Sequence, residues 1–87
     1  MSRGINKTHE LKIAPHFLSE IKNNNKHFEI RFNDRDFKVG DKLVLRGYKN
    51  GCYTDEESIV IINYMLSEYT GLEKGYVILN IKQVNHE

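Results

Sequence analysis

The sequence predicts a mainly β domain of the α+β kind, a small mixed β-barrel of five or six short strands with one helix between strands 1 and 2. Three observations carry that expectation. Apolar and polar residues alternate with a period of two in several short segments, and one early segment switches to helical spacing. Turn chemistry separates the segments at Asn33-Asp34-Arg35-Asp36, Val39-Gly40-Asp41 and Asn50-Gly51. A small chain of short strands hides its edges most economically by curling, and the helix can then plug one end.

In chain order, residues 1–7 are polar and are expected to form a flexible N-terminal segment, followed by a single domain over 8–83 and a C-terminal tail over 84–87. His9, Leu11 and Ile13 alternate with Glu10 and Lys12 in a first strand that Ala14-Pro15 ends. From Pro15 to Asn23, Phe17, Leu18 and Ile21 recur at helical spacing, with proline at a first helical position and the asparagines Asn23 to Asn25 as a stop. The stretch from Lys26 to Arg46 holds two strands and two corners. In its first half Phe28, Ile30 and Phe32 alternate with His27, Glu29 and Arg31, so the apolar set is expected in the core and the ionisable set on the open face. Leu43 and Leu45 repeat the pattern, opposite Lys42, Val44 and Arg46.

Asn50-Gly51 predicts a two-residue hairpin that sets Tyr53 antiparallel to Tyr48. Ser58 to Leu66 is rich in β-branched residues and reads as a strand buried on both sides, with a helix as the alternative. Ser67 to Lys74 reads as a loop, and Gly75 opens a last strand in which Val77, Leu79 and Ile81 alternate with Tyr76, Ile78 and Asn80.

Composition narrows the function classes. The 87 residues make one small domain with a modest core. A net charge of +1 lacks the global basic excess of a non-specific nucleic-acid binder, so any such binding rests on a local patch. The single cysteine, Cys52, permits no internal disulfide and fits a reducing cytoplasm. The longest apolar run, Ile59 to Ile62, is far too short to span a bilayer as a helix, and the N-terminal residues contain no apolar leader core. His9, His16, His27 and His86 show no metal-ligand spacing, so no metal and no cofactor is expected.

The densest cluster of chemistry is Lys26, Glu29 and Arg31. Strand period puts Glu29 and Arg31 on one face roughly 7 Å apart, with Lys26 at the entrance. Two cations beside one carboxylate suit anion recognition, and they equally suit a plain charge-satisfying pair on a strand. His9 from the first strand is a further candidate, and Lys12 lies on the opposite face from it. Tyr48, Tyr53, Tyr64 and Tyr76 are candidate stacking platforms, Tyr76 above all because it stands beside Gly75. Asp34, Arg35, Asp36 and Lys38 form a mixed-sign loop.

His9-Glu10-Leu11-Lys12-Ile13, Lys26 to Arg31, Asn33 to Asp41 and Gly75-Tyr76-Val77 together resemble the DUF3850 family, small bacterial and phage proteins within the ASCH and PUA-like superfamily. The resemblance covers about Thr8 to Lys82. It implies a PUA-like barrel and a protein that binds RNA or acts on RNA or modified nucleosides. The ASCH basic segment maps onto Lys26 and Arg31, with Asn24 in place of its glycine, a residue type that also tolerates a positive φ. Glu29 stands where the related amidohydrolases carry a threonine, so their nucleophile is absent.

The expectation is therefore a cytoplasmic domain, a monomer without a membrane segment, that binds RNA or a nucleotide in a cleft formed by His9, Lys26, Glu29, Arg31 and Tyr76. The alternative is an enzyme of RNA metabolism, a ribonuclease or modified-nucleoside hydrolase, in which Lys26 and Glu29 share proton transfer and Arg31 stabilises negative charge. A third reading is a protein-interaction domain using a strand edge or the tyrosine-rich end.

Overall fold

Five strands and one helix follow in the order β1 (Thr8–Ile13), α1 (Pro15–Lys22), β2 (Phe28–Phe32), β3 (Lys42–Lys49), β4 (Cys52–Ser67) and β5 (Tyr76–Gln83) in a computed structural model that describes residues 5–84. Of the expected terminal segments, residues 1–4 and 85–87, His86 among them, lie outside the described residues. The strands form one sheet in the order β1-β3-β4-β5-β2, antiparallel throughout except for the parallel pair β1 and β3. The sheet curls into a half-barrel.

Each element has a local cause. Asn50 (φ 54°) and Gly51 (φ 80°) both take positive φ, as a two-residue hairpin of primed type requires, and Tyr48 pairs with Tyr53 across it. In α1 the Ala14 carbonyl accepts from Leu18 N at 3.0 Å and proline fills the first turn, where its missing N–H costs nothing. The helix turns Leu18 and Ile21 inward against β3 and β4 and so closes one end of the half-barrel. The loop from 33 to 41 crosses the other end, and Phe37 fills it at 2% exposure. Between these plugs lie Leu11, Ile13, Leu43, Leu45, Val60, Ile62, Val77, Leu79 and Ile81.

Two expectations need correction. The segments around Tyr53 and Ser58–Leu66 are one strand of 16 residues, whose first half pairs with β3 and whose second half pairs with β5. Irregularities at Gly47 and Asn63 let the long strand bend around the barrel. Only one face of it is fully buried, through Val60 and Ile62, while Ile59 and Ile61 are half-buried.

The second correction concerns β2. Phe28, Ile30 and Phe32 are not core residues: they are 44, 52 and 53% exposed. Glu29 instead points inward at 5%, opposite Leu79 of β5, and Arg31 lies opposite Val77. The period of two was readable, but its phase is reversed, because the inward carboxylate brings its own neutralising cations with it. No helix among the described residues is long and apolar enough to cross a membrane.

Candidate functional site

The chain leaves α1 through Asn24, which takes φ 63°, as its residue type allows, while Lys26 N is held by the Glu20 carbonyl at 3.1 Å. This places Lys26 at the mouth of β2. Its Nζ donates to Glu29 Oε1 at 2.7 Å and lies 4.5 Å from the Phe28 ring and 5.2 Å from the Phe17 ring. Arg31 Nη2 donates to the other carboxylate oxygen at 2.8 Å. Both oxygens of a nearly buried acid are therefore engaged, which is what the desolvation of a charge demands.

The same Arg31 Nη2 also donates to the main-chain oxygen of Lys12 at 2.8 Å, and Arg35 Nη1 donates to that of Glu10 at 3.0 Å. Glu10 and Lys12 belong to β1, the strand at the far edge of the sheet. The two edges of the half-barrel are thus joined by arginine side chains where a closed barrel would have a ladder of backbone bonds. Beside this seam runs a groove of about 350 Å³ lined by Glu10, Leu11, Lys12, Arg31, Arg35 and Tyr53. An aromatic pair borders it: Tyr48 and Tyr53 meet edge to face at 5.1 Å, Lys12 Nζ lies 4.4 Å from the Tyr48 ring and the Arg46 guanidinium 4.0 Å from the Tyr53 ring. Arg46 is held in turn by Glu10 at 2.6 Å.

The five residues expected in one cleft are not all brought together. Lys26, Glu29 and Arg31 cluster. His9 sits at the opposite end of the barrel, 6% exposed, with its ring edge against Phe37 and Nε2 at 2.8 Å from Asp41 Oδ2. Asp41 also accepts from Lys7 N, Lys38 N and Asn6 Nδ2, so His9 helps to hold the 33–41 loop. Burial pushes the Asp41 carboxyl up, but the bonds from His9, Lys7, Lys38 and Asn6 outweigh it and hold the group below its usual range. Tyr76 stands on the outer face against Phe32, ring centroids 5.4 Å apart, and lines a separate hollow of about 570 Å³ with Asn33, Tyr69 and Leu72.

Two contributions escaped sequence reasoning. Arg35 was visible only as part of a charged turn, since nothing local announces that its side chain reaches β1, 25 residues back. Asp41 left a fainter trace, an acid directly between a glycine and a strand. Among the described residues no cluster of His, Cys, Asp and Glu could hold a metal ion.

Comparison with known families places this geometry. The family described as "Domain of unknown function (DUF3850)" matches residues 8–81, from the start of β1 into β5. The chain belongs to the DUF3850 family. No curated protein matches it. In this DUF3850 domain the matched span contains the whole Lys26–Glu29–Arg31 cluster, the seam and the groove.

Chemically, the DUF3850 site offers fixed positive charge more than it offers a reactive group. Glu29 is saturated by two cations and has little freedom to move a proton to or from a substrate. Arg31 is pinned through Nη2 alone, and among the described residues its Nε and Nη1 donors make no hydrogen bond. A guanidinium held rigid on one side with donors to spare on the other is suited to an oxyanion.

Proposed function

We propose that this DUF3850 domain binds RNA or a nucleotide in the seam groove, as an ASCH-like member of the PUA-like superfamily working in the cytoplasm. Arg31 and Arg35 contact phosphate oxygens, Lys12 adds charge, and Tyr53 offers a ring to a base. The observation that carries this reading is the convergence of three cations and an exposed tyrosine in one groove of a chain whose net charge is only +1. Its small footprint implies modest affinity. The engaged oxygens of Glu29 lend less support to a hydrolase than to a binding module.

The test is fluorescence anisotropy with labelled single-stranded and hairpin RNA across a salt series. The expected result is binding whose log affinity falls against log salt with a slope of about −2, for roughly three neutralised phosphates. Absence of binding at low salt for both probes overturns the proposal, and RNA cleavage that is lost in a Glu29→Ala variant still folded by circular dichroism replaces it with the hydrolytic one.

A further inference from the structure

The reversed phase of β2 has a second effect, on the face of the sheet turned away from the core. Strand register sets three rows of side chains there. The middle row is Leu66, Ile78 and Ile30; Tyr64 and Phe28 flank Asn80 on one side of it, and Tyr76 and Phe32 pair on the other. Phe28, Ile30, Phe32 and Tyr64 are 44 to 61% exposed. None of these side chains is charged.

We propose that this face is the interface of a symmetric dimer of the chain, two sheets packed face to face. Three arguments select a second copy as the occupant. First, rows without charged side chains meet themselves without like-charge repulsion, and Lys26, which lies over the Phe28 ring, is neutralised by Glu29, whereas nucleic acid needs cations such as those at the seam. Second, the layout is self-complementary: a two-fold axis along the middle row lays that row on itself and sets Phe28 against Phe32 of the partner subunit, at the spacing of about 10 Å usual for stacked sheets. Third, the area suffices. Half-exposed aromatic and β-branched side chains leave on the order of 500 Å² of apolar surface per copy, at the upper end for a monomer. Pairing two copies buries about 1,000 Å², the threshold of a specific interface.

The proposal does not depend on the groove: Arg31, which lines it from β2, alternates with Ile30 and Phe32 and so lies on the opposite face of that strand. Sedimentation equilibrium at tens to hundreds of micromolar tests it. The expected result is a mass twice the 10.2 kDa of the chain, with association at least tenfold weaker in Ile30→Lys and unchanged in Arg35→Ala. Ile30 is half-exposed, so the variant keeps its fold by circular dichroism, and Phe32→Ser serves as a second variant. A wild-type chain that stays at 10.2 kDa throughout overturns the proposal and leaves the face to a different protein or to nucleic acid. A dimer undiminished in both variants overturns it as well.

Discussion

Arg31 reaches across the open side of the half-barrel and donates to the main-chain oxygen of Lys12 at 2.8 Å. The same nitrogen is held by Glu29, so a buried charge cluster on β2 and the exposed edge of β1 share one atom. Strand edges are usually managed by pairing, covering or charge. Here arginine side chains cap the carbonyls of the edge, and the groove beside them inherits their charge.

Glu29→Ala should destabilise the fold by about 3 kcal/mol, because it leaves Lys26 and Arg31 facing each other with no counter-ion in a poorly hydrated position. Urea unfolding followed by circular dichroism measures this. The exposed partner of Lys22, Glu56, provides the contrast: Glu56→Ala should leave the midpoint almost unmoved, since surface pairs are screened by solvent.

Arg31→Lys should weaken RNA or nucleotide binding about tenfold while retaining most of the stability. Lysine can still neutralise Glu29 but has no planar fork to present to phosphate. Anisotropy titration against the wild type reads the loss, and equal affinities would assign the phosphate contact elsewhere.

Acid should remove a specific increment of stability through Asp41. The folded carboxyl lies below its ordinary value of 3.8, so the unfolded chain binds the proton more tightly than the folded one. The contribution is complete above 3.8 and is lost as pH falls through the lower folded value. Melting temperature measured from pH 6 down to pH 2 should fall over that window, and Asp41→Asn should start lower and fall less.

Gly75→Ala should cost about 1–2 kcal/mol and Gly51→Ala less. Both glycines have positive φ, but a Cβ at Gly75 lies 2.6 Å from the Phe32 ring while one at Gly51 meets nothing within 4 Å. Parallel thermal melts separate the strain they share from the contact they do not.

The fold was largely legible in the chain because most of its signals are local. Pro15, the helical spacing to Ile21 and Asn50-Gly51 each specify their own backbone, and Leu43, Leu45, Val77, Leu79 and Ile81 mark strand faces without ambiguity. The phase of β2 was not legible, since a period of two defines two faces but not which turns inward. Apolarity argues for Phe28, Ile30 and Phe32; what decides otherwise is a tertiary fact, that Lys26 and Arg31 converge on Glu29 within a barrel. The site follows the same division. Lys26, Glu29 and Arg31 are neighbours in sequence and were found together, whereas the reach of Arg35 to β1 and the anchoring of His9 by Asp41 depend on a pairing between distant segments.

The four groups that Asp41 holds bear on the order in which the chain assembles. The β3–β4 hairpin closes through two residues, an event on the order of microseconds, while β1 must find β3 in parallel across the sequence separation of 34 between Lys7 and Asp41. Asp41 directly precedes β3 and bonds Asn6, Lys7, His9 and Lys38, and the first three of these contacts can form only once β1 has docked. By loop-closure entropy the hairpin is expected early and the seam late, so the groove beside the seam is expected to form only when the last edge docks.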